Sequence, residues 1–452
     1  MRATSVGVVT ALVLAGCVDR PISRLDPTGQ GVEQKLLPVS LNQELDLLFV
    51  IDNSGSMEEE HRSLEDRFPE LIAHLDELSG RLPDLHIGVV SSDMGTGNVD
   101  VGDNRCGPGG GDRGVMHGAT CPALGGASFL TDVVGPTGDR VRNYTGTLDD
   151  AFACAANLGI GGCGFEQHLA AMQAALSPGV NPGFLREPAT LAVIIVADED
   201  DCSADVDRIF SRTEDAELGP FSDFRCYEQG VVCANDPDPR LPGPRAGCVP
   251  RPTSPFLVEI EQYAGFLRGL KREPDHKLFV AGIIGDPANV RVVLQDNDPA
   301  LDFGCSGALG VAEPAVRLAG FLDQFPGTSA RETICTGDLG DALRAIVESL
   351  PPLEGVCFDR VVADRNPIVD GIQPECSVVE ITDLDGPARR ETPLPGCEGS
   401  TARPCWRITE DAATCAATDH HLRIDVERSV PAPANAYLEV QCVVSIPVPP
   451  PS

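Results

Sequence analysis

Four stretches of this chain are apolar at almost every position: LDLLFVID (45–52), LHIGVVSS (85–92), TLAVIIVAD (190–198) and HKLFVAGIIGD (276–286). A strand with one wet face alternates apolar and polar residues, whereas a strand that is apolar on both faces has to be covered on both. Segments with helical periodicity lie between them, at 58–78, 166–176, 255–271, 312–325 and 339–350. Alternating buried strands and helices imply right-handed crossovers and an α/β fold, a doubly wound and mostly parallel sheet. The chain's 452 residues leave room for more than that one domain.

Two long interruptions break the alternation, at about 95–147 and 202–254. The first holds CGPGGGDRG (106–114) and one expected edge strand near 128–134; the second carries Cys202, Cys226, Cys233 and Cys248 among many prolines. Loops of this length inside a compact domain are functional or separately stapled. From 353 to 446 the texture changes to short alternating runs, CSVVEIT, HLRIDVE and AYLEVQCVV, with further cysteines, which predicts a small disulfide-stapled β domain ahead of a tail at 447–452.

The start of the chain has a different character. One arginine, an apolar run too short to span a bilayer, and Leu14-Ala15-Gly16-Cys17 resemble the signal peptide and lipobox of bacterial lipoproteins. The resemblance implies removal of residues 1–16, a lipid on Cys17, a tether over 17–43 rich in Pro, Gly and polar residues, and a place in the bacterial cell envelope, at the outer membrane or cell surface. Cysteine usage agrees with an oxidising compartment. Of seventeen cysteines, sixteen remain after Cys17, an even number suited to disulfides, and none has the spacing of a zinc site. The pairings cannot be deduced from the sequence, although Cys106 with Cys121 and Cys154 with Cys163 would close short glycine-rich loops and are locally plausible. The balance of 34 basic against 68 acidic residues, a net charge of −34, opposes nucleic acid and anionic lipid as partners. Contact with a membrane is expected only through the lipid.

The sharpest local signal is DLLFVIDNSGSM (46–57). In open α/β sheets ligands bind beyond the carboxyl ends of the strands. There Asp52, Ser54 and Ser56 direct one carboxylate and two hydroxyls to a common point, with Gly55 allowing a tight turn and three glutamates following in the first helical turn. Such oxygen donors suit a hard divalent cation, Mg²⁺ first and Mn²⁺ or Ca²⁺ next. These residues closely resemble the first motif of von Willebrand factor A (vWA) domains, and the likeness extends over 44–350. It implies a metal-ion-dependent adhesion site in which Ser54 and Ser56 coordinate through their hydroxyls, Asp52 acts largely through water, and Asp198 of LAVIIVADEDD supplies a later carboxylate. The family usually adds a threonine from a glycine-rich loop. Here GIGGCGFEQHLAAMQAAL puts Cys163 or Gly164 at that place, with Glu166 as the residue able to reach in. The remainder of DEDD (198–201) reads as a solvated loop.

GIGGCG and GPGGGDRG imitate nucleotide-binding loops but lack the strand before the first and the Gly-Lys-Ser/Thr ending of the second. No serine-nucleophile signature is present. The sequence therefore favours a binding protein, not an enzyme, that recognises a carboxylate-bearing protein or glycan through its cation. The alternatives are an envelope scaffold with incidental metal and, further off, a metal-dependent hydrolase.

Overall fold

The computed structural model describes residues 31–445 apart from short stretches, the longest being 39–43, 351–356, 385–388 and 429–435. The expected signal peptide, Cys17 and the tail lie outside the described residues. The chain runs through β1 (Gly31–Pro38), β2 (Glu44–Ile51), α1 (Glu58–Ser79), β3 (Asp84–Ser91), β4 (Leu130–Val134), β5 (Arg140–Arg142), α2 (Leu148–Ala156), α3 (His168–Leu176) and β6 (Thr190–Val196). It continues through α4 (Ile260–Gly269), β7 (Leu278–Ile284), α5 (Val316–Leu322), β8 (Ser329–Thr333) and α6 (Gly340–Ser349).

Among the described residues the central sheet has seven strands in the order β8-β7-β6-β2-β3-β4-β5. The five from β8 to β3 pair in parallel, and β4 and β5 are added antiparallel at one edge. The fold is thus α/β with a mostly parallel sheet. The strand expected near 128–134 is not the edge, because Arg140–Arg142 pairs outside it.

β2 shows why its sequence has no polar alternation. Leu47, Phe49 and Ile51 point into one core, against Leu64, Phe68 and Leu71 of α1 and Phe152 of α2. Leu48 and Val50 point into the other, against Leu169 and Met172 of α3, Tyr263 of α4 and Leu318 and Phe321 of α5. Side chains of a strand alternate between faces, so two helix layers demand apolar residues at every position. Each buried side chain of this size contributes about 1.5–3 kcal/mol. Helix α2, which periodicity did not reveal, starts where the Thr147 hydroxyl accepts from the Asp150 N–H at 3.1 Å.

After 357 come β9 (Cys376–Thr382), β10 (Arg390–Leu394), β11 (Cys405–Glu410), β12 (Leu422–Glu427) and β13 (Ala436–Val444). A four-stranded sheet of order β1-β13-β9-β10 and the β11–β12 pair enclose a core around Phe358, Val378, Trp406, Ile424 and Val440. The presence of β1 in this sheet corrects the expected tether. Residues 31–38 form a strand paired along its whole length, Gly31 opposite Val444 and Pro38 opposite Tyr437. Its sequence, GVEQKLLP, has the weak pattern of a half-exposed edge, which local periodicity does not distinguish from coil.

Among the described residues eight disulfides use all sixteen cysteines after Cys17. Two local pairings are overturned: Cys106 joins Cys163, and Cys121 joins Cys154. Loop length enters closure entropy only logarithmically, so proximity along the chain is a poor guide once tertiary placement sets the partners. No helix of the described residues is long and apolar enough to cross a membrane.

Candidate metal centre

β2 lies between β3, which continues the chain to one side, and β6, which continues it to the other. This is the point where a doubly wound sheet changes direction and opens a crevice at the carboxyl ends of its strands. Asp52 and Asp198 emerge there, one residue past β2 and two past β6.

Asp52 is fully buried. Its N–H donates to Val196 O at 2.9 Å and its carbonyl meets His61 Nε2 at 2.6 Å, so the backbone is held from both sides. One carboxylate oxygen, Oδ1, accepts from Ser54 N–H at 2.7 Å, while Oδ2 has no donor. The Ser54 and Ser56 hydroxyls are 2.9 Å apart. Ser56 also hydrogen-bonds the Asp198 side chain, whose carboxyl is pushed up to about 7 by burial, with Asp52 adding. Gly55 and Ser56 are exposed while Asp52 to Ser54 are buried, so the loop reaches solvent at Ser56. Gly55 is not in the left-handed region, and a Cβ there would meet only Ile160 O at 4.0 Å; the expected conformational need for glycine does not arise there. What calls for glycine here is a close approach at Gly162, whose N–H donates to Asn53 O at 2.9 Å and whose Cβ would lie 2.1 Å from Asn53 Oδ1.

The loop containing Gly162 also decides which of its residues faces Asp52. Cys163 is turned away: its sulfur is bonded to Cys106, and its N–H donates to Asp93 Oδ2 at 3.4 Å. Glu166 turns in. It is 2% exposed, its Oε1 has no partner, and burial, then Glu199 and Asp52, push its carboxyl well above the ordinary range. Glu166 shares a hydrogen bond with Glu199, which burial pushes up to about 8. Glu60, the third glutamate of α1's first turn, also points inward, has an unpartnered Oε2 and is pushed up to about 7 by burial.

The structure therefore links Asp52, Ser54, Ser56 and Asp198 through successive hydrogen bonds and places Glu166 close enough for Asp52 to act on its charge. Sequence reasoning gave Glu60 only a place in the first turn of a helix and Glu199 only one in a solvated loop, and it missed His61 and His168. The available signal was position: Glu199 directly follows Asp198, His168 lies two residues past Glu166, and Glu60 and His61 sit in the first turn of the helix that follows Ser56. The remainder of DEDD is not solvated. Asp200 accepts from the N–H groups of Arg317 and Leu318 at the start of α5, at 2.8 and 3.0 Å, and Asp201, fully buried, pairs with Arg317 Nη2 at 3.1 Å.

Whether these residues fit a cation can be judged from their unmatched atoms. Asp52 Oδ2, Glu60 Oε2, Glu166 Oε1, Asp198 Oδ1 and Ser92 Oγ are all buried without a hydrogen-bond partner. A buried polar atom left in this way costs about 1–3 kcal/mol, and more when charged. Hard divalent cations take oxygen ligands of this kind. Among the described residues the only trio of His, Cys, Asp or Glu ligand atoms within 4.8 Å of one another is Cys397, Cys405 and Glu427, and there the two cysteines form a disulfide. The carboxylates at the crevice are thus too spread to close a shell by themselves, and the Ser54 and Ser56 hydroxyls are needed to complete it. With them, the donor set fits.

No family description matches this chain, and none of the curated proteins does. Among solved structures the chain is similar to a von Willebrand factor type A protein from Catenulispora acidiphila, at 10% identity and a TM-score of 0.29, covering 93% of this chain and 66% of that one. It is also similar to the pilus adhesin RrgA from Streptococcus pneumoniae, at 9% identity and a TM-score of 0.28, covering 94% of this chain and 60% of that one. The chain spans less than two thirds of the length of either, and the fold assignment rests on the sheet described above.

Proposed function

We propose that this protein is an extracytoplasmic, lipid-anchored binding protein that holds a divalent cation at Asp52, Ser54, Ser56 and Asp198, with Glu166 alongside, and uses it to capture a carboxylate of a protein or glycan partner. The observation that carries this reading is the set of buried carboxylate oxygens without donors at the crevice between β2 and β6. A divalent cation bound there satisfies them and keeps coordination positions open toward the exposed lip at Ser56.

Charge balance supports capture of an anion. Asp52 and Asp198 together cancel one divalent ion, and the hydroxyl ligands add no charge. Glu166 and Glu199 hydrogen-bond to each other, and burial favours a proton shared between them, which limits their repulsion of an incoming carboxylate. The reading is of binding without turnover: His61 is occupied by the Asp52 carbonyl, and no histidine of the centre hydrogen-bonds a serine hydroxyl among the described residues. Disulfides throughout the chain accord with an extracytoplasmic location, and Cys17 provides the proposed anchor.

The test is partner capture from envelope material by the purified protein with Mg²⁺ or Mn²⁺ and then with EDTA, beside the Ser54→Ala/Ser56→Ala variant. Capture that needs the ion and is lost in the variant supports recognition through the centre. Capture indifferent to the ion points to a scaffold, and ion-dependent capture by the variant refutes the site.

A further inference from the structure

His168, the first residue of α3, is fully buried, yet neither ring nitrogen has a hydrogen-bond partner. A neutral imidazole has one donor and one acceptor, and interiors rarely leave both unmatched. The nearby His61 shows the ordinary solution, with Nε2 engaged at 2.6 Å by the Asp52 carbonyl. His168 Nε2 instead lies 3.7 Å from Asp52 Oδ2, itself without a donor. That is beyond hydrogen-bond reach. It is the separation of two ligands bound to one ion at about 2.1 Å each with an angle near ~120°.

The backbone that carries the ring is anchored. Leu169 N–H donates to Asp201 Oδ1 and Ala170 N–H to Ser203 Oγ, both at 2.9 Å, so the loop after β6 fixes the first turn of α3. Asp201 is in turn held by Arg317. Gln167 adds a clamp from its side-chain amide, donating to Gly95 O at 2.7 Å and accepting from Ala204 N–H at 3.2 Å. An imidazole and a carboxylate thus face each other across 3.7 Å from two anchored stretches of backbone.

We propose that His168 Nε2 is a ligand of the cation held at Asp52, which makes the centre a mixed nitrogen–oxygen site selective for Mn²⁺, Co²⁺ or Zn²⁺ over Mg²⁺ and Ca²⁺. Imidazole contributes strongly to first-row transition metals and little to Mg²⁺ or Ca²⁺, which favour oxygen. This rests on the cation-binding reading above and sharpens it: Asp52 and the serine hydroxyls place the ion, the histidine selects it, and Asp198, which has no ligand atom within 4.8 Å of both Asp52 and His168, acts through its hydrogen bond to Ser56.

The experiment is calorimetric titration of the metal-free protein with Mn²⁺ and with Mg²⁺, for wild type, His168→Gln and, as control, His61→Gln, with circular dichroism to confirm folding. Pulsed electron paramagnetic resonance of the Mn²⁺-loaded forms then reads nitrogen coordination directly. Wild type is expected to bind Mn²⁺ at least ~10-fold tighter than Mg²⁺ and to show imidazole nitrogen coupling, with both features lost in His168→Gln and kept in His61→Gln. If both ions bind wild type but the preference and spectrum do not depend on His168, the inference is overturned while the cation centre stands, a buried water then bridging the two groups. If neither ion binds wild type, the cation reading itself has failed. Should His168→Gln not fold, the nitrogen coupling in wild type and its survival in His61→Gln decide the matter.

Discussion

The two ends of the central sheet bury carboxylates equally deeply and treat them in opposite ways. At the amino ends of the strands, Asp46 is fully buried and accepts from Arg186 N–H at 2.7 Å and Arg186 Nε at 2.8 Å. The same guanidinium donates to Leu45 O and Asp84 O. Asp132 accepts from Arg140 Nε at 2.7 Å and from the Tyr144 hydroxyl at 2.5 Å, and Asp84 Oδ1 accepts from Val134 N–H at 2.8 Å. At the carboxyl ends, Asp52, Glu60, Glu166 and Asp198 each keep an oxygen with no partner, and the charges that act on Glu60, Glu166 and Asp198 are those of other carboxylates. The first arrangement is paired except for one oxygen of Glu44, and there the Arg186 charge offsets part of the cost of burial. The second leaves four carboxylates unmatched with no cationic side chain among their hydrogen-bond partners, and in the proposed reading a cation completes it, so the satisfaction of the buried groups separates the two ends better than their depth does.

The sharpest way to break this contrast is to remove one group from each end. Arg186→Met strands Asp46 in the interior and is expected to cost about 3–5 kcal/mol in denaturant unfolding. Asp52→Asn keeps an acceptor for Ser54 N–H and removes one of the crowded charges, so without cation it is expected to change stability by less than ~1 kcal/mol. Equal losses would show that both ends are structural.

A second measurement addresses the carboxyl end alone. Saturating divalent cation, at about a hundred times its Kd, is expected to stabilise wild type by about 2.7 kcal/mol, seen as a rise in melting temperature that EDTA reverses. Asp52→Asn should show none of this gain. An undiminished rise in the variant places the ion elsewhere.

The smallest expected effect belongs to the amino end and to alkaline pH. Lys271 is buried, donates to Arg186 O and Ala189 O, and is pushed down to about 8 from 10.5 by desolvation. Between those values the unfolded chain holds a proton that the folded chain has released. Stability from this group therefore rises with pH across the window, by about 2 kcal/mol or less. Lys271→Met should flatten that rise when unfolding free energies are compared at pH 8 and pH 10. A rise of the same size in the variant would assign it to other groups.

The strands and the principal corner were legible because both are local. An unbroken run such as LDLLFVI can be satisfied only between two helix layers, and a carboxylate following it at once must stand at the sheet's rim, where Asp52 does stand. The same logic located Asp198 after TLAVIIVA. The threonine-like position was less clear, since Cys163, Gly164 and Glu166 are near neighbours in sequence and only the Cys106 disulfide and the Asp93 hydrogen bond turn one away and leave another facing in. Asp200 and Asp201 looked like a solvated loop because their partner, Arg317, is more than a hundred residues distant.

By itself, then, the sequence determined the α/β class, the strands that make the sheet's centre, and the acidic hydroxyl-bearing corner at its switch point, since periodicity and the end of an apolar run are properties of neighbouring residues. Tertiary structure alone decided that β1 closes onto β13, that Cys106 finds Cys163, and that His168 faces Asp52 across 3.7 Å. Those are choices among distant partners. The cost of closing a loop varies only with the logarithm of its length, so spacing along the chain does not select them, and packing does.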